Sequence, residues 1–288
     1  MEWITSLKKA VSYIEKNLLS NIVLEDVADY VLISPFYFHK GFSILTGYTL
    51  SEYIRNRRLY LAALELSNEN SSIIDIAYKY LYETPESFSK AYKRYHGFSP
   101  RDTKANLLNI KPFLPLNISI IIKGGKEMDY KVEDLKEFQV IGVVRKVRYD
   151  DAYQSIPKFW SELMPKICNH EAAEKHMIGM YGICFTEKDQ KETFDYMIAG
   201  KFISDDIPEG FEVRTIEAGK WVKFKAVGAL PTSLQTVNTF IFKEWLPGNE
   251  SYELASGVDI EYYPPHKDPS KDDYECEIWL PVNELNKK

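Results

Sequence analysis

Two sets of side chains in this 288-residue chain have the types and spacing for recognition chemistry. The first set is polar and helical. Pro85, Glu86, Ser87 and Lys90 occupy the early turns of a stretch with helical periodicity, and Pro35, Phe36, His39 and Lys40 occupy the same places in an earlier one. A lysine can donate to guanine O6 and N7, a glutamate can accept from cytosine N4, and an aromatic ring can pack on a thymine methyl. Set out on exposed helix surfaces, these residues suit a DNA major groove. The second set is aromatic and acidic. Trp160, Tyr181, Tyr196, Trp221, Phe224, Trp245, Tyr262, Tyr263 and Trp279 crowd the second half of the chain, and Glu277 stands in an apolar strand just before Ile278-Trp279-Leu280-Pro281. Rings attract a bulky apolar cation through their faces, and one buried carboxylate balances its charge. Strand alternation puts Glu275 on the face of Glu277, so it is the rival carboxylate. Trp245, at a helix end, is the expected aromatic partner.

The first set must be held by helices. Residues 73–100, IIDIAYKYLYETPESFSKAYKRYHGFSP, read as a short apolar helix, a polar turn and a second helix opened by Thr84-Pro85 and stopped by Gly97. Phe88, Ala91, Tyr92 and Tyr95 recur on one face. The design occurs twice. Asp26-Val27-Ala28 matches Asp75-Ile76-Ala77, and Ser34-Pro35, Phe38, Lys40, Phe42 and Gly47 match Thr84-Pro85, Phe88, Lys90, Tyr92 and Gly97, with one added residue in the second turn. Phe38, Phe42, Phe88 and Tyr92 are expected in the core. The pattern is two helix-turn-helix units, each offering its second helix to DNA. Residues 3–19 read as a leading helix with Leu7, Ala10, Val11, Ile14 and Leu18 on its packed face. A helix over 50–66 joins the units. Its 16 steps of about 1.5 Å span about 24 Å. With half a unit at each end, the two reading helices reach grooves about 34 Å apart. Arg55, Arg57 and Arg58 on this helix are expected at phosphates.

The second set must be held by strands. Residues 107–116 contain Pro112 and Pro115 and read as linker, 118–123 as a short β-rich run closed by Gly124-Gly125. From residue 128 a β-α-β-β order appears twice: strand 138–147, helix 153–167, strands 178–185 and 193–202, then strand 219–228, helix 232–246, strands 258–263 and 274–282. The expected fold is therefore multidomain: an all-α head with two helix-turn-helix motifs over 1–106, a linker over 107–127, and an α+β domain of two repeats over 128–288.

At Asp75-Ile76-Ala77, Phe88, Ala91-Tyr92-Lys93, Gly97 and Ser99-Pro100, the head resembles the AraC/XylS family of bacterial transcription regulators. Residues 242–247, FKEWLP, and 277–282, EIWLPV, together with the repeated layout, make the tail similar to GyrI-like effector-binding domains. The first resemblance implies base and phosphate contacts at Pro35, Phe36, His39, Lys40, Pro85, Glu86, Ser87 and Lys90, with Arg55 and Arg58 in support. Some members carry Gln where His39 and Glu86 stand and Arg where Lys40 and Lys90 stand, so the operator sequence does not carry over. The second resemblance implies a functional carboxylate in a groove between the halves. It is assigned here to Glu277, with Trp245, Glu275, Tyr181, Trp160 and Phe224 as the other ligand-binding residues. The partners implied are double-stranded promoter DNA, RNA polymerase and a small-molecule effector, amphipathic or cationic.

Composition agrees with this reading. Hydrophobic residues at 45% and charged residues at 27% are ordinary for a globular protein. Residues 1–111 carry a net charge of +2 and the remainder −8, so the tail would be repelled by phosphates and has another task. No membrane span and no secretion signal are read, and Cys168, Cys184 and Cys276 form no CxxC pair, which fits a reducing cytoplasm. His170, Glu171, Glu174 and His176 lack a metal-ligand pattern and are expected at the surface. No cofactor is called for. Phosphate-cradling glycine loops and nucleophile elbows are absent, so the chain is read as a regulator and not an enzyme. Two alternatives stay open for the tail, a small-molecule hydrolase using a glutamate-activated water and a protein-interaction module.

Overall fold

The computed structural model describes residues 2–68, 72–118, 129–167, 171–186, 192–205, 207–255 and 257–285. The chain divides into two compact units, residues 2–121 and 122–288.

The first unit is helical: α1 Glu2–Lys16, α2 Leu24–Tyr30, α3 Pro35–Thr46, α4 Leu50–Leu66, α5 Ile73–Lys79 and α6 Pro85–His96. Its two halves are built by the same local devices. Ser34 and Thr84 each accept a hydrogen bond from the N–H three residues on, a proline occupies the first turn, and Gly47 (φ +77°) and Gly97 (φ +94°) end the helix in the left-handed region. The turns repeat as well. Ile33 N–H returns to the Ala28 carbonyl and Tyr82 N–H to the Ala77 carbonyl, each at 3.0 Å. Between them stand Leu32 (φ +58°) and Leu81 (φ +63°), left-handed residues at matching places. Phe38, Phe42, Phe88 and Tyr92 are fully buried, as their spacing predicts, and Leu7, Ala10, Val11, Ile14 and Leu18 of the leading segment are buried too.

Residues 107–118 of the segment read as linker belong to this unit. A 3₁₀ turn covers Lys104–Asn109. The Phe113 ring then packs on Tyr48 and Tyr53, with centroids 5.2 and 5.7 Å away. The Phe113 carbonyl accepts from Arg57, and Leu116 N–H donates to Tyr53 Oη. From residue 119 on, the β-rich run and Gly124-Gly125 lie outside the described residues.

The second unit carries β1 Tyr130–Leu135, β2 Phe138–Arg148, α7 Ala152–Ile167, α8 Glu171–Lys175, β3 Tyr181–Phe185, β4 Thr193–Lys201, β5 Glu212–Ile216, β6 Gly219–Val227, α9 Thr232–Phe240, β7 Tyr252–Leu254, β8 Val258–Tyr262 and β9 Glu275–Glu284. A π-turn over Ile241–Trp245 prolongs α9. The six strands expected from residue 138 on are present. β1, β5 and β7 were not foreseen.

The sheet order is β1-β6-β9-β8-β3-β4-β2-β5, all antiparallel, with β7 on β9. Each repeat is therefore β-β-α-β-β, and each lends its first strand to the other: β1 pairs with β6, and β5 with β2. This exchange curls the sheet. Leu135 and Phe138 are three residue steps apart, about 11 Å at most. In a flat sheet β1 and β2 would stand six spacings of about 4.8 Å apart, about 29 Å. The sheet therefore rolls so that its ends approach. Trp221 near one end, Ile216 at the other and Ile183 and Ile260 at the centre share one core on the inner face, closed by Leu135 and Phe138. Helices α7 and α9 lie on the outer face, where Phe159 and Trp160 approach Tyr196 and Trp245 meets Phe224.

Candidate functional sites

In the helical unit, the two reading helices are not presented alike. On α6, Glu86, Ser87, Lys90, Lys93 and Arg94 are exposed and Pro85 is half-buried. On α3, Phe36 and His39 are buried, which corrects their assignment as exposed contact residues, while Pro35 and Lys40 are half-buried. Lys40 Nζ lies 5.6 Å from the centroid of Phe36. The 3.6-residue period places a residue on a face but does not say how much of that face the tertiary structure covers.

The arginines of α4 separate in the same way. Arg55 is exposed. Arg57 is buried: its Nε and Nη2 grip the Glu15 carboxylate at 2.8 and 2.7 Å, and Tyr53 Oη donates to the same carboxylate at 2.6 Å. Arg57 holds α1, α4 and residue 113 together, which corrects its expected place at a phosphate. Arg58 donates to the carbonyls of Leu18 and Ser20, both at 2.8 Å, tying down the chain after α1. Burial raises the Tyr82 hydroxyl above its ordinary value, against the opposing pull of the Arg55, Arg58 and Arg94 charges.

In the sheet unit, the register sorts the expected ligand residues by face. Tyr181 lies opposite Tyr262, Tyr262 opposite Glu277, and Glu277 opposite Lys225. Two residues along, Lys223 lies opposite Trp279. Lys223 and Trp279 share the inner face with Glu277, Tyr262 and Tyr181. Tyr262 stacks on Trp279 at 5.5 Å, and Tyr181 meets both rings at 5.7 and 6.0 Å. Trp279 Nε1 donates to Glu277 Oε2 at 2.5 Å. Burial, then Tyr262 and Glu277, push the Tyr181 hydroxyl up to about 12.

Trp160, Trp245 and Phe224 do not join this cluster. Phe224 is fully buried on the outer face, and Trp245 packs on it and on Tyr130 at 5.0 and 5.9 Å. Both are helix-to-sheet core. Trp160 Nε1 donates to Tyr196 Oη at 2.9 Å on that outer face. Glu275 shares the inner face but is exposed at the rim, paired with Lys225 at 2.7 Å. The choice between the two carboxylates falls to the half-buried Glu277.

The internal symmetry makes Glu277 unusual. Its counterpart in the first repeat is Asp195, for Asp195 lies opposite Lys146 on β2 as Glu277 lies opposite Lys225 on β6. Asp195 is held by Lys146 at 3.1 Å and Arg214 at 2.9 Å. Burial raises its carboxyl, but those two cations outweigh burial and hold it below the usual range. Among the described residues Glu277 forms no such ion pair.

Sequence reading overlooked Glu261. It lies on the outer face of β8 and accepts from Tyr263 Oη at 2.8 Å, with Tyr196 Oη at 3.5 Å. Gly182 permits this approach, because a Cβ there would stand 2.2 Å from Tyr196 Oη. Burial, followed by Glu261, drives the Tyr196 and Tyr263 hydroxyls well above their ordinary values. The signal was the parity of Glu261 against its neighbours Ile260 and Tyr262. His176, expected at the surface, is buried, its Nδ1 3.0 Å from the Lys201 carbonyl. His170 and Cys168 lie outside the described residues.

A doubled helix-turn-helix head joined to a rolled sheet with two-fold internal symmetry defines an AraC/XylS-type DNA-binding domain followed by a GyrI-like effector-binding domain. Residues 131–282, just over half of the chain, match the family described as integron-associated effector binding protein, Cass2, and residues 27–106 match a helix-turn-helix domain. The chain belongs to the Cass2 family of effector-binding proteins, with a DNA-binding regulatory domain at its head. The HTH-type transcriptional activator AarP of Providencia stuartii is 37% identical over 94 residues, 33% of this chain and 70% of that protein. The right origin-binding protein of Escherichia coli K12 is 24% identical over 294 residues, 96% of this chain and 97% of that protein. Among solved structures, SAV2435 bound to tetraphenylphosphonium is 25% identical, with a TM-score of 0.47, covering 54% of this chain and 94% of that one. Among the described residues no helix is long and apolar enough to cross a membrane, and no group of three or more His, Cys, Asp or Glu could hold a metal ion.

Proposed function

We propose that this protein is a one-chain transcription regulator whose tail binds a lipophilic cation at Glu277 and thereby changes how the head engages promoter DNA or RNA polymerase. The observation that carries the reading is the contrast between two symmetry-related carboxylates. Asp195 is neutralised by two cations of its own domain, whereas Glu277 faces Tyr181, Tyr262 and Trp279 with an indole N–H as its partner. A half-buried carboxylate beside aromatic faces, with no ion pair of its own among the described residues, suits a bulky cation. At the head, the exposed face of α6 with Arg55 and Arg94 is the proposed DNA surface, reading bases through Glu86, Ser87 and Lys90.

Isothermal titration with tetraphenylphosphonium tests the tail. At an effective dielectric near 20, a carboxylate about 4 Å from a cation attracts it by about 4 kcal/mol. Solvent reduces this at a half-buried group, so Glu277→Gln should weaken binding about tenfold, with Glu275→Gln nearly silent. Equal affinity in Glu277→Gln and the parent protein would remove Glu277 from the site.

A further inference from the structure

Trp279 is fully engaged by its own domain. Its N–H is given to Glu277. Tyr262, on the neighbouring strand β8, stacks on its ring with an interplanar angle of 24°. From β6, the strand on the other side, Lys223 brings its Nζ to 4.1 Å from the ring centroid. The indole is left 9% exposed. A cation approaching Glu277 therefore finds the ring already occupied on both sides, on one of them by an ammonium ion.

The two covering groups differ in how readily they leave. Tyr262 is wedged between Tyr181 and Trp279. Lys223 has a flexible four-carbon stem, and its ammonium also holds Glu133 on the edge strand β1 at 2.8 Å. The Glu133 side chain is 44% exposed, so the ammonium can withdraw from the ring toward solvent without losing that partner. The contact it would give up is modest for a cation over an aromatic face.

We infer that Lys223 is a built-in competitor for the effector: its ammonium occupies the aromatic face that a lipophilic cation would take, and binding requires its displacement. This rests on the proposed cation site at Glu277. Lys223 then sets both affinity and selectivity. A ligand that cannot replace the cation–ring contact has no means of opening the site, so neutral molecules of the same shape are disfavoured. The positive charge of Lys223, held against Glu133, also gives the site a threshold that weakly bound cations fail to cross.

The test is a titration of the full chain with tetraphenylphosphonium and with a neutral analogue, triphenylphosphine oxide. Lys223→Met keeps the stem and removes the charge. It should bind the phosphonium about five- to tenfold more tightly, and its selectivity for the phosphonium over the oxide should fall. Lys223→Arg keeps a cation over the ring and should bind no tighter than the parent protein. Thermal melts check that both variants are folded. Equal phosphonium affinity in all three forms overturns the role of Lys223 and leaves the Glu277 site standing. Weaker phosphonium binding in Lys223→Met also overturns it, because the lysine would then be supporting the site. Binding in none of the forms overturns the cation site and the competitor together.

Discussion

Arg57 offers a clean decision between two physical roles. Its place on α4, beside Arg55 and Arg58, suggests a phosphate contact, whereas its contacts suggest a structural one. Consider Arg57→Met, which keeps most of the stem. Glu15 loses two charge-assisted hydrogen bonds and, among the described residues, the cation that pairs with it, keeping the Tyr53 hydroxyl, and the Phe113 carbonyl loses a donor. Removing one partner of a buried pair typically destabilises by about 3–5 kcal/mol. The Glu15 side chain is 20% exposed and keeps one donor, so the lower end, about 3 kcal/mol, applies. Hydrogen exchange on the full chain reads this locally. At about 1.4 kcal/mol per tenfold, amides of α1 and α4 that exchange through opening of this domain should exchange about 100-fold faster. DNA binding gives the opposite readout. Loss of one phosphate contact would lower the slope of log affinity against log salt by about one. The structure predicts an unchanged slope once the variant is held at a temperature where it is folded. A slope reduced by one, with exchange rates in α1 and α4 unmoved, would refute the structural role.

Three further outcomes follow from the head. Lys90→Ala on α6 should weaken binding to a cognate site by about 1–3 kcal/mol in gel shifts while leaving nonspecific binding less affected. Leu32 stands at φ +58° with 93% of its surface exposed, so Leu32→Gly relieves about 1–2 kcal/mol of left-handed strain without loss of buried area. Glycine's extra chain entropy offsets about 0.5–1 kcal/mol, and the melting temperature should rise slightly. His96 is kept below its ordinary value by burial, against a raising bond to the Leu59 carbonyl. The unfolded chain therefore takes up its proton first as pH falls. The stability due to neutral His96 is complete above about pH 6.5 and is lost as pH falls toward the folded value. Urea midpoints of the helical signal should drop from pH 7 to 5, and less steeply in His96→Gln.

The parts of the fold that sequence disclosed are those fixed by near neighbours. Ser34, Thr84, Pro35, Pro85, Gly47 and Gly97 act within one helix turn, so their spacing marks both helix-turn-helix units to the residue. Burial is set at longer range. Nothing local distinguishes His39, which is buried, from Glu86, which is exposed, although both stand early in reading helices. Arg57 looks like its exposed neighbour Arg55 until Glu15, 42 positions earlier, is brought to it. In the sheet unit both faces carry core, so aromatic content could not say which face holds the site. Trp221 and Phe224 are separated by an odd number of positions and must face opposite ways, a parity that excludes Phe224 once Glu277 and Trp279 define the inner side. β1 and β5 escaped notice because their partners lie in the other repeat, across many intervening residues.

That exchange of edge strands constrains how such a domain can be divided. A single repeat, cut free, would present β2 without β5, and β1 without β6, leaving backbone donors and acceptors bare along two margins. The economical remedy is a second identical copy donating the same strand in return, which closes both margins by two-fold symmetry. One half made alone should thus be a dimer or an aggregate, and an obligate pair of small chains is the natural forerunner of the fused arrangement seen here.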